Sequence, residues 1–84
     1  MDPSEDDLDV ALPDISPRAW RLLRVAAGFE QREVEKQVGD LVQAHISMLE
    51  NDTRSLSQSR LRRLFELYTE ELTAEQVAAL VDNF

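Results

Sequence analysis

Gln43, Ala44, Ser47 and Met48 carry the clearest chemistry in this chain. They belong to the run Gln43 to Asn51, in which Ile46 and Leu49 stand three apart and mark an inward face. On a helix the four lie on or near the opposite side. The Gln43 carboxamide donates and accepts at once, which suits the N6/N7 edge of adenine. Ala44 offers a methyl-sized apolar contact for a thymine methyl. Met48, one turn on, reaches the same kind of methyl or a sugar. An α-helix fits the major groove of DNA and meets base edges with its first residues. The chemistry expected of these four residues is base-edge reading.

Such a helix needs a second one to hold it. Gln31 to Val38 places Val34 and Val38 four apart, on one face of a short helix. Gly39-Asp40 then stops it, Gly supplying a permissive backbone and Asp a turn-forming carboxylate. Two short amphipathic helices joined by a tight Gly-containing turn describe a helix-turn-helix.

The run Arg24-x3-Gly28-Phe29-x-Gln31-x2-Val34, followed by Ile46-Ser47-x-Leu49-Glu50-Asn51, resembles the phage-repressor/Cro-type helix-turn-helix family, also called the XRE family. The likeness covers Ser16 to Tyr68. It implies an all-α, five-helix, lambda-repressor-like domain, with Gln43, Ala44 and Met48 at the main base-facing positions. It also places Gln31 on the phosphate backbone, helped by free N–H groups at a helix start. Asn51, Thr53 and Arg54 look like further phosphate contacts, which set register without reading sequence. Arg32 and Lys36 are phosphate contacts or solvated surface charges. In the family the residues matching Arg24 and Glu50 form a structural ion pair, for which a bidentate Arg–carboxylate fork is suited. Three positions depart from the pattern. Glu30 stands where Ser or Thr is usual, Glu35 where a small residue is usual, and the interval from Gly39 to Ile46 is one residue longer.

The net charge of −8 opposes DNA binding until it is divided along the chain. Residues 1–17 carry −6, residues 18–63 carry +3 with all nine bases, and residues 64–84 carry −5. The bases coincide with the proposed DNA-binding core. Only Lys36 among them is lysine, and Cys is absent. This composition points to a halophilic source, an archaeon or its virus, or to an acidic protein from a GC-rich genome. In molar salt counterion release is a weak driver, so base-edge and apolar contacts carry more of the binding.

Enzyme readings lack parts: no Cys nucleophile, no Gly-rich phosphate loop and no second histidine. Glu33 and Glu35, like Glu70 and Glu71, are close in sequence, but carboxylates alone do not make an acid–base pair. His45 has no companion ligands for a metal. No cofactor is expected. No apolar run approaches the ~18 residues of a membrane span and no signal-peptide pattern opens the chain, so a cytoplasmic protein is expected.

Residues 1–14, acidic and with two prolines, read as a flexible tail, with a protein partner as the alternative role. Residues 15–84 form the domain, with helices expected at about 17–27, 31–38, 43–51, 58–69 and 74–83. Ser16-Pro17, Ser57 and Thr73-x-x-Gln76 are helix starts, each preceded by an apolar staple residue (Ile15, Leu56, Leu72). Trp20, Leu23 and Ala27 form the inward stripe of the first helix. In the last helix Val77, Leu80, Val81 and Phe84 fall at i, i+3, i+4 and i+7. That stripe either closes the core or forms a homodimer surface. The expected function is a DNA-binding transcriptional regulator acting as a dimer on a palindromic site. The alternative is a protein-interaction module or antitoxin with the same fold.

Overall fold

The computed structural model describes residues 12–39 and 41–84. The expectations for residues 1–11, and for Asp40 as a turn or cap residue, fall outside the described residues. The described residues are helical, with no strand among them. A 3-10 turn at Leu12–Asp14 precedes α1 (Pro17–Ala26), α2 (Gln31–Val38), α3 (Gln43–Glu50), α4 (Gln58–Thr69) and α5 (Ala74–Asn83).

Each boundary has a local cause. The Ser16 hydroxyl accepts from the Ala19 N–H at 3.0 Å and Pro17 takes the first helical position, where its missing N–H costs nothing. α1 ends because Gly28 adopts φ +88°. The Gly28 and Phe29 N–H groups then return to the Val25 and Arg24 carbonyls at 3.0 and 3.1 Å, so orphan acceptors of the last turn are satisfied. Gly39, at φ +80°, ends α2. The same device closes α3 with Asp52 at φ +59°, the Thr53 N–H reaching the Met48 carbonyl at 2.9 Å. Ser57 caps α4. Thr73 and Gln76 exchange a capping box at the head of α5.

The core is drawn from the 3-10 turn and α1 to α4. Trp20 and Tyr68 are its largest buried members, and Trp20 meets both Tyr68 and Phe65 edge-on at 6.3 Å between centroids. α1 lies against both α3 and α5, and α2 against α3. This arrangement fixes α3 from two sides while leaving its outer face open.

One expectation needs correcting, and one open alternative gains an observation. The flexible tail does not extend to residue 14: Leu12 is only 2% exposed and belongs to the core, and the Ile15 N–H closes the 3-10 turn onto its carbonyl at 3.2 Å. One buried leucine, worth roughly 1.5–3 kcal/mol, is enough to hold so short a segment, and it leaves no helical period to detect. The α5 stripe, expected either to close the core or to form a homodimer surface, has Val77, Leu80 and Val81 half-buried and packed against the core within the chain itself. Only Phe84 keeps much of its surface, at 48% exposed. Its carbonyl accepts from the Ser16 hydroxyl at 2.7 Å, and the Arg18 guanidinium sits 5.6 Å from the centre of its ring. The physical reason is that α1 to α4 leave the outer side of α1 uncovered, and α5 covers it.

Candidate nucleic-acid interface

The residues assigned to base edges all stand on α3. Gln43 and Ala44 are exposed in its first turn, while Ser47 and Met48 are half-buried one turn later. Of the residues assigned to phosphates, Arg32, Asn51, Thr53 and Arg54 are exposed and Gln31 is half-buried at the head of α2.

A continuous hydrogen-bonded chain joins several of them to the frame. Arg24 in α1 grips Glu50 at the end of α3 through two parallel bonds, Nε to Oε2 at 2.7 Å and Nη2 to Oε1 at 3.1 Å. Its remaining nitrogen, Nη1, donates to the Phe29 carbonyl at 2.8 Å. The pair is nearly dry, with side-chain exposures of 12% for Arg24 and 4% for Glu50. The hydrogen bonds that Arg24 donates to Glu50 raise the Arg24 pKa above its ordinary value, against the opposing effect of burial. Glu50 Oε1 also accepts from Gln31 Nε2 at 3.1 Å, and Gln31 Oε1 accepts from Gln43 Nε2 at 3.4 Å. The carboxamide of Gln43 is thus linked by three side-chain contacts to a buried arginine 19 positions earlier. Fixing such a side chain before binding removes part of the ordering cost of recognition.

The loop after α3 is pinned as well. The Met48 carbonyl accepts from both the Thr53 and Arg54 N–H groups, at 2.9 and 3.3 Å. Asn51 Nδ2 donates to the Ser47 hydroxyl at 3.2 Å, so Ser47 is bonded to the residue that caps its helix instead of standing free.

Glu35, one of the three departures from the resemblance, has a structural role. Val42 occupies the cap position of α3 and offers no side-chain acceptor. The Glu35 carboxylate reaches across from α2 and accepts from the Gln43 N–H at 3.3 Å. A negative group is favoured there because a helix N-terminus exposes unpaired N–H groups and the positive end of the dipole. At the head of α2, the Glu33 carboxylate accepts from the Glu30 N–H at 2.8 Å, which settles a second helix start.

Sequence reasoning missed Glu35 as a cap and Val42 as a surface residue. Val42 is 46% exposed and directly precedes Gln43, and its isopropyl group extends the apolar part of the α3 face. The signal for Glu35 was the departure itself, a carboxylate where a small residue is usual. His45 points inward, and its Nδ1 is buried without a hydrogen bond. Among the described residues no three histidine, aspartate or glutamate side chains gather to hold a metal, and no helix is long and apolar enough to cross a membrane.

The chain belongs to the family described as a domain of unknown function, DUF8599, whose profile matches residues 8–61. No curated protein and no solved structure matches it. The matched stretch holds the 3-10 turn, α1, α2, α3, the loop after it and the first residues of α4. The whole Arg24–Glu50–Gln31–Gln43 chain lies inside it, and α5 lies outside.

Proposed function

We propose that the protein is a sequence-specific DNA-binding transcriptional regulator, a repressor of the lambda-repressor-like helix-turn-helix kind, in which α3 enters the major groove. The observation that carries this reading is the tethered Gln43: an exposed carboxamide at the start of α3, bonded to Gln31 and through it to the buried Arg24–Glu50 pair. A solvated glutamine needs no such support, whereas a base-reading one gains from being held in register. Gln43 reads an adenine edge, Ala44 and Val42 meet thymine methyls, and Met48 lies along the sugar edge. Gln31, Arg32, Thr53 and Arg54 bracket the helix and hold the flanking phosphates.

The protein acts as a homodimer on a palindromic site. Half-sites one helical turn apart are separated by ~34 Å. The described domain measures 32 × 26 × 22 Å, so two copies fit side by side at that spacing. In a salt-rich cytoplasm the base-edge and apolar contacts carry more of the affinity than the phosphates do.

Selection from a random DNA pool, run at ~0.2 M and at molar KCl, tests this. The expected result is an inverted repeat whose central preference relaxes in Gln43→Ala, since one bidentate contact discriminates by ~1–3 kcal/mol. A second reading, a protein-interaction module or antitoxin, draws on Glu30 and Glu35, carboxylates at the head of α2 and within it whose charge opposes a phosphate backbone. No enriched sequence at either salt, from folded protein, would favour it.

A further inference from the structure

Five members of the core, Leu12, Ile15, Trp20, Leu49 and Leu61, line a cleft of about 130 Å³. The 3-10 turn and α1 supply one wall, the end of α3 and the first turn of α4 the other. The rest of the lining has a different character: Asp52, Arg54 and Ser55, exposed residues of the loop after α3, stand at the mouth. An apolar floor with a few polar groups at the opening is the usual make-up of a small-molecule site. Size limits the guest. An apolar cavity of about 150 Å³ holds benzene, so this one takes a single ring or one branched aliphatic group. The mouth limits it further. Asp52 and Arg54 put both charge signs at the opening, and among the described residues neither side chain is in a salt bridge. A guest of one sign leaves one of these charges unanswered, whereas a zwitterion answers both.

We propose that this cleft binds a free α-amino acid with a branched aliphatic or single-ring side chain. The side chain enters the apolar floor. The ammonium group donates to the Asp52 carboxylate, and the amino-acid carboxylate accepts from the Arg54 guanidinium, both charge-assisted contacts. The Ser55 hydroxyl, whose bond to the Leu56 carbonyl is long at 3.4 Å, turns to the same carboxylate. Occupancy has a consequence that rests on the DNA-binding reading above. Arg54 is one of the residues assigned to phosphates, and it does not serve an amino-acid carboxylate and a phosphate together. The bound amino acid therefore weakens DNA binding, which makes the cleft an effector site.

Trp20 is the only tryptophan and lines the cleft, so its fluorescence reports occupancy without a label. The full chain is titrated with L-leucine and L-phenylalanine. Glycine and 4-methylpentanoate serve as probes that lack the side chain and the ammonium group respectively. The expected result is a saturable change with L-leucine or L-phenylalanine, half-complete at roughly 0.1–1 mM. A tenfold excess over that concentration should raise the thermal midpoint by about 5–10 °C. Glycine and 4-methylpentanoate should bind about tenfold more weakly or worse. Asp52→Asn and Arg54→Gln should each weaken binding about five- to tenfold. Asn suits position 52, where φ is +59°. No saturable change with either amino acid up to ~20 mM overturns the proposal, as does binding that neither variant weakens. Affinity for random-sequence duplex, read by fluorescence anisotropy, should fall about threefold or more at saturating amino acid. Unchanged DNA affinity at saturation would overturn the sharing of Arg54. No DNA binding by the ligand-free protein would be a failure of the DNA-binding reading alone, with amino-acid binding still upholding the site.

Discussion

Replacing Glu50 with alanine leaves Arg24 with a largely covered guanidinium and no carboxylate. Breaking a buried ion pair in this way costs about 3–5 kcal/mol when the remaining charge is fully enclosed. The Arg24 side chain is 12% exposed and keeps its bond from Nη1 to the Phe29 carbonyl, so a cost just below that range applies, about 2–3 kcal/mol. For a domain of this size each kcal/mol moves the midpoint by about 4–8 °C, which predicts a fall of roughly 10–20 °C. Calorimetry or circular dichroism of Glu50→Ala reads it directly. Arg24→Lys should lose most of the same stability, because an ammonium group does not form the two-pronged contact. The double apolar replacement Arg24→Met, Glu50→Leu should recover much of it, because no charge is then left unpaired. A Glu50→Ala midpoint within about 2 °C of the native one would refute the claim that this pair ties α1 to the end of α3.

Leu12→Ala should destabilise the fold by about 2–5 kcal/mol in denaturant titration, because it empties a core position, although the residue lies in what the sequence presents as an acidic tail. Glu35→Ala removes the acceptor over the Gln43 N–H and should lower stability by about 0.5–2 kcal/mol, with faster hydrogen exchange in the first turn of α3. Tyr68 gives a pH prediction. Burial first, and the nearby Glu50 charge second, raise its phenol pKa above the ordinary value of 10. An acid whose pKa is raised on folding stabilises the native state fully below its unfolded pKa. That contribution is lost as pH rises above about 10 and through the folded pKa. Thermal midpoints should therefore decline above about pH 10, and Tyr68→Phe should flatten that part of the decline. Tyr68 is the only tyrosine, so absorbance at the phenolate band reports it alone.

Local chemistry made much of this protein legible before its fold was in view. Ser16-Pro17, Ser57 and Thr73-x-x-Gln76 mark helix starts because short oxygen-bearing side chains satisfy the first free N–H groups. Gly28 and Gly39 mark helix ends because their positive φ suits glycine. The three- and four-residue spacing of apolar side chains selects helices, since that spacing lines one face of a 3.6-residue turn. What tertiary structure alone decided are the matters that depend on which surfaces meet. Leu12 is in the core because α1 and α4 leave a space that it fills, and nothing in its neighbours' periodicity announces that. The α5 stripe faces inward because α1 offers it a partner surface, although the same pattern serves a dimer equally well. Glu35 caps α3 only because the packing of α2 on α3 brings a carboxylate from one helix over the head of the next. The link from Arg24 through Glu50 and Gln31 to Gln43 joins positions far apart in sequence, and only the crossing of three helices brings them within hydrogen-bond reach.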